Sequence, residues 1–272
     1  MSNTVRFYHI SDVHLECHDT NALIKVITPD DSLESVLVLN GDIGMVDNKS
    51  RTAQYDTFIS MCSRLFKYIV LVRGNHEAYN YCFNKTVDKL RGMCSQYDNV
   101  HFLENEDVIL DDVKIFGAPF FTDFGGDQLN AMAVREAYND FRKVRTNNHT
   151  SKLHTDDYIF EYRRSVMACV KSDPDIVVSH YLPSLNLLER STGALNSGMG
   201  SEPLEAVLKG GLEDVKYWIY GHDHSKKTTM LGNTECRSYC RGYYGNEHYD
   251  EAIEIKAYFD FVKDWETEDE EL

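Results

Sequence analysis

The chain has 272 residues, enough to bury a substantial core, and its 42% hydrophobic and 12% aromatic content excludes wholesale disorder. A formal net charge of −16 with a pI near 5.0 argues against broad electrostatic adhesion to nucleic acid or an anionic membrane. A phosphate substrate stays open, because bound cations reverse the sign of the field locally.

Taken in order, residues 5–10 read as a first strand, and the loop Asp12-Val13-His14 leads into a polar segment with a short helix expected at 21–27. The run at 36–40 is β-branched and leucine-rich, too short for a helix, and bounded by Asn40-Gly41. Positions 51–66 place Tyr55, Phe58, Ile59, Cys62 and Phe66 at helical spacing, 68–72 is a third buried strand, and 79–96 is predicted helical. Such alternation predicts parallel pairing with helices packed on the sheet.

Beyond it the pattern changes. Val100–Leu103, Asp107–Leu110 and Val113–Gly117 are short runs around acidic turns, read as a meander on a second sheet. Gln128–Phe141 and Asp156–Lys171 have helical periodicity, a strand follows at 176–179, and 182–202 reads as a loop excursion over the site. A short helix at Pro203–Leu208 precedes a strand at 215–220. Lys227–Leu231, Thr234–Tyr239 and Ala252–Tyr258 read as antiparallel strands, the first two joined by the tight turn Gly232-Asn233. With no linker or repeat, the expectation is one domain over residues 1–263 and an acidic, flexible tail at 264–272. Seven scattered cysteines without a Cys-X-X-Cys pair, no leader and no membrane-length apolar run predict reduced thiols in a cytoplasmic protein.

Five times a buried-strand pattern ends in Asp, Asn or His. Asp12 and His14 follow the first strand, Asp42 the second, Asn75 and His76 the third, His180 the run at 175–179, and His222 and His224 the run at 215–220. Each residue taken singly has a structural reading: Asn40 and Asp42 as caps, Asn75 as a turn, His180 as a satisfied core histidine. Asp12, Asp42, Asn75, His14, His180, His222 and His224 together set two carboxylates, an amide and four imidazoles at strand ends, where open α/β sheets place their sites. Oxygen and nitrogen donors without cysteine suit transition ions such as Mn, Fe or Zn. Seven donors exceed one tetrahedral site but suit two ions if a carboxylate bridges, and Asp42 is the natural bridge. Two ions ~3.5–4 Å apart clamp a phosphoryl group and turn a bridging water into hydroxide.

These motifs resemble the calcineurin-like metallophosphoesterase superfamily, in a prokaryotic and phage-type branch. Its Asp-X-His, Gly-Asp, Gly-Asn-His, lone His and Gly-His-X-His motifs occur here in order between residues 12 and 224. Fainter echoes are the Ser179–Ser184 run, the Phe116–Phe124 stretch and Arg241-Gly242-Tyr243. The resemblance implies an α/β fold of two mixed β-sheets packed as a sandwich and flanked by helices. It implies a first metal on Asp12, His14, Asp42 and His224, and a second on Asp42, Asn75, His180 and His222. The ions would be divalent Mn, Fe, Zn or Ni, with Mn favoured for activity. His76 would be no ligand but the catalytic group that stabilises the phosphate or protonates the leaving oxygen, a role suited to imidazole.

The expected activity is hydrolysis of phosphomonoesters or phosphodiesters, with a small-molecule or nucleotide ester as substrate and no membrane partner. A nuclease on DNA or RNA is the alternative that the charge disfavours, and a non-catalytic metal-binding scaffold is disfavoured because no ligand is lost. Arg73 before Gly74-Asn75-His76 matches the phosphate-gripping form of Ser/Thr phosphoprotein phosphatases, but the Gly-Asp-X-X-Asp-Arg-Gly signature is absent after Gly41-Asp42. That departure leaves open what orients His76. Arg73, Arg241 and Arg142 are the candidate substrate-binding residues, and Glu77 reads equally as a ligand orienter or a helix-start carboxylate.

Overall fold

A computed structural model describes residues 3–17, 24–146, 149–188, 193–210, 215–243 and 252–263. The first sheet has the order β15 (Tyr258–Lys263), β1 (Asn3–Ile10), β3 (Val36–Asn40), β4 (Tyr68–Val72), β5 (Val100–Phe102). All neighbours are parallel except β15, which runs antiparallel to β1. The second has the order β12 (Lys226–Leu231), β13 (Thr234–Tyr239), β11 (Tyr217–Tyr220), β10 (Ile176–Val178), β7 (Val113–Gly117), β6 (Glu106–Leu110), with antiparallel strands at both edges. Two small ribbons complete it: β2 (Val26–Ile27) with β14 (Ile253–Glu254), and β8 (Arg145–Thr146) with β9 (Ser151–Lys152).

The sheets pack face to face because their central strands are apolar on both sides, as parallel strands covered on both faces must be. On the inner face Val5, Phe7, Val36, Val38, Val70 and Val72 meet Val113, Ile115, Ile176, Val178 and Ile219. The alternate residues Leu37, Leu39, Ile69 and Leu71 turn outward onto α1 (Lys49–Leu65) and α2 (Phe83–Cys94). In α1 the Asn48 side chain accepts the Arg51 N–H at the N-terminus, and Tyr55, Phe58, Ile59 and Cys62 form the buried stripe. The outer face of the second sheet, with Phe116, Val177 and Trp218, is covered by α5 (Thr155–Ser172) and α6 (Pro203–Lys209). Two further helices, α3 (Gln128–Ala137) and α4 (Asp140–Lys143), join a cluster of aromatic residues beside the strand ends. The result is the sandwich of mixed sheets flanked by helices that the motifs imply.

Four local expectations are corrected. Val100–Phe102 is not on the second sheet: it pairs parallel with β4 in the first. The helix expected at 21–27 is replaced at Val26–Ile27 by a strand pairing with β14, and residues 18–23 lie outside the described residues. The segment 252–258 is not one strand, because Ile253–Glu254 pairs with β2 and the pairing with β1 starts only at Tyr258. The helix expected over 128–141 breaks at Tyr138, whose extended backbone (φ −83°, ψ 140°) separates α3 from α4. The tail expected at 264–272 lies outside the described residues. Among the described residues no helix is long and apolar enough to cross a membrane.

Candidate metal centre

The turns leaving β1, β3 and β4 of the first sheet and β10 and β11 of the second converge at one end of the sandwich. Five of the seven candidate ligands have left-handed backbone: Asp12 (φ 50°), His14 (50°), Asp42 (51°), His222 (73°) and His224 (54°). Such conformations cost of order 1–3 kcal/mol each away from glycine and persist where the surroundings impose them. Here the turns hold one another. Asp12 N donates to Gly41 O (3.0 Å), His14 N to Asp42 O (3.0 Å), Gly221 N to His180 O (3.0 Å) and Gly242 N to Asp12 O (2.9 Å). The close approach of the sheets explains the motif glycines. A Cβ on Gly74 would lie 2.7 Å from His180 Nε2, and one on Gly221 2.7 Å from Asp12 Oδ2.

The candidate ligands gather as Asp12, His14 and His224 in one group and Asp42, His180 and His222 in another, with donor atoms within 4.8 Å of one another inside each group. His224 Nε2 lies 3.2 Å from Asp12 Oδ1 and 3.2 Å from His14 Nε2. His180 Nε2 lies 3.4 Å from Asp42 Oδ2 and 3.2 Å from Asn75 Oδ1.

The donor set fits cations. His180 places Nδ1 on Asn40 O (3.0 Å) and His14 places Nδ1 on Glu16 Oε1 (3.0 Å), so each turns an Nε2 lone pair inward. The Asn75 amide donates Nδ2–H to Asp140 Oδ1 (2.8 Å), which aims its Oδ1 at the same point. Lone pairs on Nε2 of His180, Oδ1 of Asn75 and Oδ2 of Asp42 therefore face one another, a repulsive arrangement that a cation would resolve. Two buried atoms, His222 Nε2 and Asp12 Oδ1, have no hydrogen-bond partner in this cluster.

The field is strongly negative. Burial alone would raise the Asp42 and Asp12 pKa values, but the surrounding imidazoles hold both carboxyls below the usual range, His180 foremost for Asp42 and His224 for Asp12. Burial would lower His180, yet Asp42 and then Asp12 lift it to about 10. His222 goes the other way, down to about 3, from burial and the neighbouring His180. A field that would keep a proton on His180 attracts a metal ion for the same reason.

His76 stands beside this cluster. Its Nδ1 is 2.7 Å from Glu16 Oε1 and its Nε2 3.2 Å from the Tyr243 hydroxyl, with Asp42 Oδ2 at 3.9 Å. Tyr79 stacks on the ring (centroids 4.1 Å apart) and donates its hydroxyl to Asp140 (2.6 Å). Burial would lower its pKa, but Asp42 and Glu16 raise it to about 9.

Of the three candidate arginines, the structure brings one to the cluster's frame. Arg241, 7% exposed, donates Nη1–H to Val13 O (3.2 Å), between Asp12 and His14. Arg73, 1% exposed, makes a bidentate pair with Glu104 (2.9 and 2.7 Å) between the rings of Phe83 and Phe121. Its guanidinium is an interior brace, not a group that faces a substrate. Arg142 is exposed, donates to Ala137 O, and lines a separate cavity of about 390 Å³ with Met132, Arg135 and Phe141.

Glu77 is fully buried and accepts the N–H groups of Ile43 (2.9 Å), Gly74 (2.8 Å) and Asp42 (3.2 Å), which decides for the orienting role. Burial and Asp42 raise its pKa to about 7. Glu16, Asp140, Tyr79 and Tyr243 were not anticipated from the sequence. Two of them lay near a signal, Glu16 two residues past the Asp-X-His motif and Tyr243 within the Arg241-Gly242-Tyr243 run.

A family model for calcineurin-like phosphoesterases matches residues 5–226. The chain is 27% identical over 246 residues to "Uncharacterized protein L509" of Acanthamoeba polyphaga mimivirus, covering 79% of this chain and 83% of that one. Its fold is similar to the crystal structure of a phosphopantetheinyl hydrolase from Mycobacterium tuberculosis (TM-score 0.66, 16% identity, 87% and 89% of the chains covered). A putative 5′-nucleotidase from Staphylococcus aureus is similar at TM-score 0.50 and 16% identity, with 87% of this chain and 48% of that one covered. The family match supports phosphoester hydrolysis with divalent metal ions as the general activity. On these grounds the chain belongs to the calcineurin-like phosphoesterase family.

Proposed function

We propose that the protein is a binuclear metal-dependent phosphoesterase acting on a small-molecule or nucleotide phosphate ester. The observation that carries this reading is the position of Asp42, grouped with His180 and His222 on one side and with His14 and His76 on the other. Asp12, His14, Asp42 and His224 would hold one ion, and Asp42, Asn75, His180 and His222 the second. Two such ions supply Lewis-acid polarisation of the phosphoryl group and a lowered pKa for the attacking water, Mn being the favoured pair for activity.

The rest is the work of the chain's own groups. Asn75 is held by Asp140 and Tyr79 so that its carbonyl oxygen faces His180 Nε2, where the second ion would sit. His76 presents Nε2 on the exposed side and, when protonated, gives that proton to the leaving oxygen as the P–O bond breaks. Arg73, braced on Glu104, does not supply the phosphate grip of the phosphoprotein phosphatases. A net charge of −16 weighs against a nuclease, and the names of the two structural relatives, a phosphopantetheinyl hydrolase and a putative 5′-nucleotidase, point the search toward small phosphate esters.

The test is metal-dependent turnover of p-nitrophenyl phosphate against bis-p-nitrophenyl phosphate in Mn²⁺, with chelator as control. Turnover that chelator abolishes supports the reading, and the preferred ester separates monoester from diester chemistry. No turnover of either with both metals bound overturns it for this ester class. His76→Ala should retain both metals and lose ~10²–10⁴-fold in rate on an alkyl ester, whose leaving oxygen needs a proton; an unchanged rate there removes His76 from the mechanism.

A further inference from the structure

One carboxylate oxygen ties the two halves of the chemistry together. Glu16 Oε1 accepts from His76 Nδ1 at 2.7 Å and from His14 Nδ1 at 3.0 Å. The two rings meet edge-on with centroids 4.5 Å apart, and the Glu16 carboxyl is about 10% exposed. Its segment, Leu15–Cys17, is one 3₁₀ turn fixed by Leu15 N on Ile43 O (2.9 Å) and Cys17 N on His14 O (2.9 Å), so the carboxylate is carried on the same strained turn as His14.

The consequence is geometric. An imidazole whose Nδ1 is held by a fixed acceptor cannot flip its ring, so the direction of Nε2 is fixed in both cases. For His14 that direction is toward Asp12 and His224. For His76 it is toward Tyr243 and the site mouth. We infer that Glu16 is a positioning residue that fixes the acid His76 and the metal-side His14 from a single oxygen. The inference rests on the phosphoesterase reading above but concerns residues that it leaves unassigned. It fills the place of the acidic partner that is missing after Gly41-Asp42, and draws it from a different turn.

The prediction separates orientation from bulk stability through the leaving group. A p-nitrophenolate leaves without much protonic help, whereas an alkoxide does not. In the Mn-loaded full chain, Glu16→Ala should lose under ~10-fold on a p-nitrophenyl ester and ~10²-fold or more on the matching alkyl ester. Glu16→Gln, which keeps an accepting oxygen, should recover most of that difference. In a His76→Ala background, Glu16→Ala should add less than about 3-fold, because residues that act as a unit are non-additive. A second readout needs no turnover. In ¹⁵N-histidine spectra the hydrogen-bonded Nδ1–H signals of His14 and His76, assigned by single substitution, should both be lost in Glu16→Ala.

Equal losses for both leaving groups, additivity with His76→Ala, or an unchanged His76 Nδ1–H signal would each overturn the inference. So would loss of metal with the leaving-group dependence unchanged, since Glu16 would then serve His14 alone. Failure of the phosphoesterase reading has a different signature: wild-type protein without metal-dependent turnover, or His76→Ala without any leaving-group effect.

Discussion

The two sheets contribute unlike chemistry to the same site. Turns of the first carry every oxygen donor, Asp12, Asp42 and Asn75, together with His14 and the flanking pair Glu16 and His76. Turns of the second carry imidazoles only, His180, His222 and His224. The first half supplies the negative charge that sets the field, and the second supplies imidazole nitrogens that answer to it. Each of the two ligand groups takes members from both, so a bound ion would act as a cross-link between layers. That gives the sandwich a test: metal should stabilise the alignment of the sheets as well as run the reaction.

The largest effect should come from Asp42, the proposed bridge between the two ions. Asp42→Asn removes the central charge, and both ions should be lost together in metal analysis. Turnover should fall by more than the roughly 10–100-fold that loss of an outer partner costs. Metal-dependent thermal stabilisation should disappear with it, about 2.7 kcal/mol at ligand 100-fold over Kd in the wild type. Retained turnover with both metals bound would break the bridge assignment. His222→Ala sharpens the same comparison from the second sheet, because it should release one ion and leave the Asp12, His14 and His224 group loaded. Loss of both ions at once would show that the halves are not separable.

Arg73 tests the boundary between site and scaffold. Removing its guanidinium leaves the half-buried Glu104 without this partner, so Arg73→Ala should destabilise by about 1–3 kcal/mol in urea titration. The kcat of the protein that remains folded should change little. A loss of kcat at unchanged stability would return Arg73 to the substrate. Arg142→Ala, on an exposed helix, should change stability by less than about 0.5 kcal/mol.

What the sequence made legible follows from how local each signal is. The metal cluster was readable because each motif combines a strand, a turn and a ligand within a few residues. The supporting shell was less so. Asp140, which holds Asn75, follows a helix break at Tyr138, and the Tyr138 hydroxyl donates to Leu195 O (2.9 Å) far along the chain, contacts that no local pattern announces. Val100–Phe102 was assigned to the wrong sheet because so short a run carries no record of which edge it joins. Arg73 was misdirected by its neighbours in the motif, since nothing local announces Glu104 as its partner. His9, a histidine outside the motifs, shows the contrast physically.

His9 lies on β1, 2% exposed, edge-on to Tyr239 of the second sheet and tilted against Phe259 of the first, with no hydrogen-bond partner on Nδ1. It is a buried imidazole between the layers that takes no ligand role, the counterpart of His180. Burial, with Arg237 nearby, depresses its pKa from 6.5 to about 3, so the folded chain keeps it neutral through mildly acidic pH. The unfolded chain binds a proton there near pH 6.5 and the folded chain does not. Stability is therefore intact above pH 6.5 and declines as pH falls toward 3. The loss should be about 1.4 kcal/mol at pH 5.5 and grow by a similar amount per unit below that. Urea unfolding in chelator, which removes metal-linked proton release, should show this slope in the wild type and a shallower one in His9→Asn. Equal slopes would mean that His9 gains solvent or a partner in solution, and that the seam between the sheets is looser than its packing indicates.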